Sequence, residues 1–230
     1  MQPLPKLDPT TVAIFGSAER FPVHRVYCVG RNYADHAKEM GASGREPPFF
    51  FLKPADTIFN VPTGATAAWP YPSLTQDLHH EVELVVAIGK GGRDVPAEQA
   101  SHHIWGYALG LDMTRRDLQA AAKKEAKPWC IGKAFDHAAP IGPLLPIEHC
   151  GEITSGPITL KVNDELRQNG DLSDLIWSVN EVIAHISRAW ELKSGDLIYT
   201  GTPAGVGAVK SGDVLTAEAT KVGSFSIKIV

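Results

Sequence analysis

The sequence predicts an α+β fold that is mainly β, on three observations. The 230 residues include 21 Gly and 17 Pro, which implies many turns and short strands. Short apolar runs rich in β-branched and aromatic residues recur between turn signals. Helices are few, and the regular βαβ alternation of a doubly wound nucleotide-binding sheet is absent.

In chain order, residues 1–24 carry Pro3, Pro5, Pro9 and Pro22 and read as an extended N-terminal arm with at most one short strand. Residues 25–230 form the main domain. Seven segments read as strands: RVYCVG, PFFFLKP, EVELVVAIG, IWGYALGLDM, ITLKVND, DLIYTG and SFSIKIV. The stretch CVGRNYADHAKEMG at 28–41 reads as a strand, a tight turn at Gly30 and a short helix. A helix is expected at 115–125, where Thr114 and Asp117 have capping-box spacing, and another at 179–191, where Ser178 and Glu181 repeat it. In the second, Val182, Ile183, Ile186, Ala189 and Trp190 form the apolar stripe, and Lys193 to Asp196 end it. The glycine strings GKGG at 89–92 and GTPAGVG at 201–207 lack the spacing of phosphate loops and read as turns.

A net charge of −4 and a pI near 6.1 provide no basic field for nucleic acid or an anionic membrane surface. Cys28, Cys130 and Cys150 are odd in number and contain no CxxC pair, so a disulfide framework or thiolate zinc site is not indicated and a reducing cytoplasm fits. No segment has the length of a membrane helix, and no signal peptide is visible.

The most informative segment is HHEVELVVAIG at 79–89. It sets Glu81 and Glu83 two apart in a run that otherwise reads as a buried strand, so both carboxylates share a face, roughly 6 to 7 Å apart at the base. Two like charges in apolar surroundings require a positive partner. A Glu-x-Glu pair alone is more often the wet face of a sheet, but Asp112, at the end of the apolar run IWGYALGLD, adds a third acid where a strand emerges. Three carboxylates with open positions suit Mg²⁺ or Mn²⁺ better than zinc. His79 falls on the glutamates' face and His80 on the other, and both read as structural or solvated. Lys133, between apolar residues in KPWCIGKAFD, could oppose developing negative charge, yet by itself it reads as an edge lysine. His36 and Glu39 stand three apart, the spacing of a base with its orienter, and on spacing alone they read more readily as a solvated pair.

Taken together, the ordered segments CVGRNYADHAKEMG, FFFLKPADTI, HHEVELVVAIG, GYALGLDMTRRDLQ, KPWCIGKAFD, LKVNDELRQNGDLSDLIWSV and SGDLIYTGTPAGVG resemble the fumarylacetoacetate hydrolase family, especially its small acylpyruvate and fumarylpyruvate hydrolases. The resemblance spans nearly the whole chain. It implies a mixed β-sandwich or β-roll of the family's C-terminal-domain type, a homodimer, and a Mg²⁺ or Mn²⁺ held by Glu81, Glu83 and Asp112. It also implies a water-activating dyad at His36 and Glu39, and Lys133 as the lysine that stabilises an enolate or oxyanion. Arg116 and Gln119 match substrate-contacting positions, and Arg31, Lys53 and Thr202 match residues lining the pocket. Where larger members place a further aspartate ligand, this chain has Val29, which leaves three carboxylates for the metal.

The leading functional reading is hydrolysis of the carbon–carbon bond of an acylpyruvate, foremost fumarylpyruvate to fumarate and pyruvate, in aromatic-compound breakdown. Arg115, where the family commonly has alanine, is either a rim cation for a second substrate carboxylate or a solvent-facing residue. A second reading is an oxaloacetate decarboxylase or a related decarboxylase or isomerase, which needs no attacking water. A third is a catalytically silent small-acid-binding protein. The segment 31–48, with Gly41, Gly44, Pro47 and Pro48, is expected to order as a lid over substrate.

Overall fold

A strand buried on both faces needs a covering layer on each side, and Val82–Ile88 is buried along its whole length, Glu83 included. In the computed structural model, which describes residues 4–6, 8–33 and 45–230, this strand lies at the middle of a mixed central sheet. The sheet runs Phe49–Lys53, Val26–Gly30, Leu197–Tyr199, Val82–Ile88, Ile104–Leu111, Ala139–Ile141, Ile58–Asn60, with Leu145–Pro146 added on Ile104–Leu111. A second, five-stranded sheet runs Glu165–Asp171, Pro157–Val162, Val214–Ala219, Gly223–Ile229, Thr66–Trp69. Between the sheets, Leu84, Val86 and Ile88 meet Leu160, Ala217 and Ile227 in the main core. Alternation sends Val85 and Ala87 to the opposite face with Val26, Cys28, Ile141 and Tyr199. The mainly β, α+β expectation thus holds, and each of the seven expected strands is present.

That second face is covered by the N-terminal arm. The arm is a hairpin of two strands, Thr11–Ala13 and Arg20–Pro22, where the sequence led us to expect one at most. Val12 and Phe21 are buried against the body, and the Phe21 ring lies 4.9 Å from that of Trp105. Ile14 bridges Leu144.

The two expected helices form, with different beginnings. Val179–Ala189 starts at Ser178 with a complete capping box to Glu181, and Val182, Ile183 and Ile186 are buried. It stops at Ala189, which is exposed, because Trp190 adopts extended backbone. Arg116–Lys124 has no such box: its N-cap is Arg115 without a side-chain cap. Thr114 is drawn into a short strand against His79, and the Asp117 carboxylate instead accepts from Thr75 Oγ1 at 2.6 Å, Gln76 N at 3.0 Å and Leu118 N at 2.8 Å. The turn after Val26–Gly30 is also displaced by one residue, since the left-handed conformation is at Arg31 (φ 57°) and not at Gly30. Gly30 is needed for another reason: a Cβ there would lie 2.0 Å from Cζ of Phe49. The short helix expected after it, with His36 and Glu39, lies outside the described residues, as does most of the expected lid.

Candidate active site

The strand expected across 79–89 is interrupted at Glu81. Leu78–His80 pairs with Thr114–Arg115 and Gly207–Val209 in a small three-stranded sheet, and the chain enters the central sheet at Val82. Glu81 sits at this crossing, where its carbonyl accepts from Asp112 N at 2.8 Å. That bond extends the pairing of Val82 with Leu111 and puts Asp112 beside the glutamates. Glu83 projects from the strand opposite Gly110. Glu81, Glu83 and Asp112 are all buried, and an oxygen from each lies within 4.8 Å of the others.

A buried glutamine holds the crossing in place. Gln168, from the second sheet, donates through Nε2 to Thr202 Oγ1 at 2.8 Å and Pro203 O at 2.9 Å. Its Oε1 accepts from Val82 N at 3.0 Å and faces His80 Nδ1 at 2.9 Å, so that ring nitrogen carries the proton. Burial lowers the His80 pKa to about 4. His80 is therefore neutral and structural, as is His79, which bridges Asp77 at 2.8 Å and the Arg116 guanidinium at 3.4 Å. The GTPAGVG segment is a loop with a job of its own: Gly201 N donates to Glu83 Oε2 at 2.8 Å, and Gly201 and Gly205 have φ of 105° and 93°.

Cations interleave the acids. Lys133 is not an edge residue; it is buried at the end of the short helix Cys130–Lys133. Its Nζ contacts Glu81 Oε2 at 2.8 Å, Asp112 Oδ2 at 2.7 Å and Thr114 Oγ1 at 2.6 Å. Burial acts to lower its pKa, but the charges of Asp112 and Glu81 prevail and hold it above the ordinary lysine value. Lys53, buried behind the acids, places Nζ 2.8 Å from Asp112 Oδ1 without hydrogen-bond alignment and donates to the carbonyl of Lys133. Arg116 donates to Glu81 Oε1 and, at 2.7 Å, to Gln119 Oε1. Glu83 is pushed well above the usual carboxylate range by burial, then by the charges of Asp112 and Glu81.

Glu81, Glu83, Asp112, Arg116, Gln119 and Lys133 line one pocket, together with Arg31 and Thr202. The structure therefore brings together every site residue expected from sequence that it describes, with Lys53 just behind the wall. Arg115 is the exception to the expected rim: its guanidinium lies 4.3 Å over the Phe135 ring and donates to Ile131 O at 3.3 Å. Sequence reasoning missed Gln168, which has no local signature, and Lys123, Phe49 and Trp129 in the cavity wall. Lys123 was legible, because it stands four residues after Gln119 and seven after Arg116 on one helix face.

Three buried carboxylates crowded to this degree, with the Glu83 carboxyl held against ionisation, form an all-oxygen donor set suited to a hard divalent cation. The fold and site together define a mainly β protein with a buried acidic centre walled by cations, fit for a small anionic molecule. The family model for the fumarylacetoacetate hydrolase C-terminal domain matches residues 25–230, and the chain belongs to this family. It is 43% identical over 204 residues to the mitochondrial oxaloacetate tautomerase FAHD1 of Rattus norvegicus, covering 89% of this chain and 90% of that one. It is 41% identical to the mitochondrial oxaloacetate decarboxylase of Dictyostelium discoideum, covering 83% and 86%. The fumarylpyruvate hydrolase from Pseudomonas aeruginosa, solved in complex with Mn²⁺ and pyruvate, superposes with a TM-score of 0.97 at 52% identity, covering 100% of this chain and 99% of that chain.

Proposed function

We propose that this protein is a divalent-metal-dependent hydrolase that cleaves an acylpyruvate at a carbon–carbon bond, foremost fumarylpyruvate to fumarate and pyruvate. The observation that carries the proposal is the end-to-end likeness to the Pseudomonas hydrolase, in a chain whose buried Glu81, Glu83 and Asp112 stand beside Lys133. Mg²⁺ or Mn²⁺ on the three carboxylates would supply a Lewis acid beside the 2-oxo acid. Arg116 and Gln119 orient the substrate's pyruvate half. His36, with Glu39 fixing its ring, takes a proton from water as the oxygen adds to the 4-oxo carbon. The bond between C3 and C4 then breaks, its electron pair passing into the enolate of pyruvate, and C3 is protonated. The three N–H donors of Lys133 already have protein acceptors, so the ammonium stabilises that enolate through its charge. Arg31 and Thr202 complete the substrate wall, and Lys53 acts from behind it through Asp112.

The curated relatives favour a second reading, turnover of oxaloacetate by tautomerisation or decarboxylation. A parallel assay of fumarylpyruvate, acetylpyruvate and oxaloacetate, with Mg²⁺, Mn²⁺ or chelator, separates the two. Chelator-sensitive hydrolysis of fumarylpyruvate as the dominant activity supports the first, dominant oxaloacetate turnover replaces it, and silence on all three points to a small-acid-binding protein. His36→Ala is expected to lower hydrolysis by at least about 10² while sparing decarboxylation, and a near-normal hydrolysis rate would remove His36 as the base. The family resemblance supports a homodimer, testable by light scattering. The three unpaired cysteines support a cytoplasmic location, and among the described residues no helix is long and apolar enough to cross a membrane.

A further inference from the structure

Among the described residues, the cations at the cavity outnumber the carboxylates. Arg31, Arg116, Lys123 and Lys133 line it, and Lys53 stands behind it, against the carboxylates of Glu81, Glu83 and Asp112. Five formal positive charges thus face three negative ones among the described residues, before any divalent cation adds two more. A single substrate carboxylate leaves most of this excess unanswered.

The cations divide into two groups. Lys53, Arg116 and Lys133 are each bonded to Glu81 or Asp112. Lys123 and Arg31 have no carboxylate partner among the described residues, and Arg31 Nε is buried without a hydrogen-bond partner. These two stand over an aromatic lip. Lys123 Nζ lies 4.8 Å from the Trp129 ring, the Arg31 guanidinium lies 5.8 Å from the Phe49 ring, and Phe49 and Trp129 pack edge to face at 5.3 Å. Lys123 lies about two helical turns beyond Arg116, past the groups assigned to the pyruvate end. It stands four residues beyond Gln119 and seven beyond Arg116 on helix Arg116–Lys124, which is about 6 Å and about 10 Å along the axis. Burial and the neighbouring charges of Arg116, Arg31 and Lys133 press its ammonium toward losing its proton, a strain that an arriving anion relieves.

We infer that Lys123, with Arg31, forms a distal carboxylate subsite over Phe49 and Trp129, which makes the protein selective for 2-oxo acids with a second carboxylate at the far end of the chain. The inference deepens the proposed function and rests on it for the orientation of substrate, with the pyruvate end at Arg116 and Gln119. It names a residue that sets specificity and takes no part in bond breaking.

The test is a calorimetric titration in Mg²⁺ with two uncleavable probes of equal chain length, 2-oxoheptanedioate and 2-oxoheptanoate, which differ only in the distal acid. The wild type is expected to prefer the dioate by about tenfold or more, the scale of one charge-assisted contact in a partly dry site. Lys123→Met is expected to bring the ratio toward parity and Lys123→Arg to keep most of it. A wild type without the preference, or Lys123→Met with the wild-type ratio, overturns the subsite. Parallel hydrolysis of fumarylpyruvate separates the two ideas: a preference that Lys123→Met removes in a protein that cleaves nothing upholds the subsite and sinks the hydrolase. Cleavage with an unchanged probe ratio in Lys123→Met does the reverse.

Discussion

Glu81 meets a cation on each oxygen, Arg116 on one and Lys133 on the other. Its removal acts twice, taking away a donor for the cation and leaving two positive charges short of a counter-charge. Glu81→Ala is therefore expected to abolish activity that depends on a divalent cation while the protein stays folded. Calorimetry with Mn²⁺ and far-ultraviolet circular dichroism check the two halves, and Mn²⁺ binding at wild-type strength would remove Glu81 from the ligand set. The contrast with Arg115 is instructive. Arg115 and Arg116 are neighbours in sequence, yet one stacks on Phe135 and the other enters the cavity, because Arg115 is the last residue of a strand and Arg116 the first of a helix.

At the scale of elements, two connections aim the site. The Asp117 carboxylate ties the start of its helix to Thr75 and Gln76. Its pKa lies below the ordinary aspartate value because these hydrogen bonds, with that from Leu118, outweigh the effect of burial. A depressed carboxylate pKa contributes stability above the unfolded-state value near 3.8, and the contribution is lost as pH falls through the folded pKa. Asp117→Asn is accordingly expected to cost about 1 kcal/mol at neutral pH, a difference that shrinks as wild type and variant are compared at ever lower pH. Urea titrations at several pH values read this, and a pH-independent difference would show that charge plays no part. The loop carrying Gly201 and Thr202 closes at Gly205, where a Cβ would lie 1.9 Å from the carbonyl oxygen of Arg167 at φ 93°. Gly205→Ala is expected to cost about 2 kcal/mol or more and to weaken substrate binding through Thr202. A thermal melt unchanged from wild type would contradict it.

For the whole molecule, the division at residue 24 is one of sequence more than of packing. The arm supplies Val12 and Phe21 to the face of the central sheet that also holds Val85 and Tyr199. Exposing these two side chains is worth about 1.5–3 kcal/mol each. A chain limited to residues 25–230 is expected to be less stable by roughly that sum and so to melt at a lower temperature, and coincident melting curves would show the arm to be dispensable. A buried clamp fastens the same boundary, with Asp196 accepting from Arg25 Nη2 at 2.9 Å and from Lys193 N at 2.8 Å.

The sequence by itself determined the β-rich class, seven of the strands in the two sheets, the capped start of the helix that begins at Val179 and the acids of the site. These are legible because alternation, capping and ordered motifs are properties of neighbouring residues. Only the tertiary structure decided that the chain breaks at Glu81 between two sheets, that Thr114 serves a strand and Lys133 instead of a cap, and that Gln168 clamps the crossing. It also decided the fate of the cations. Lys133 reads as an edge lysine and Arg115 as a rim residue until burial and partners separate them. A charged side chain's role is set by the opposite charges it meets and the water it loses, and both depend on segments far away along the chain.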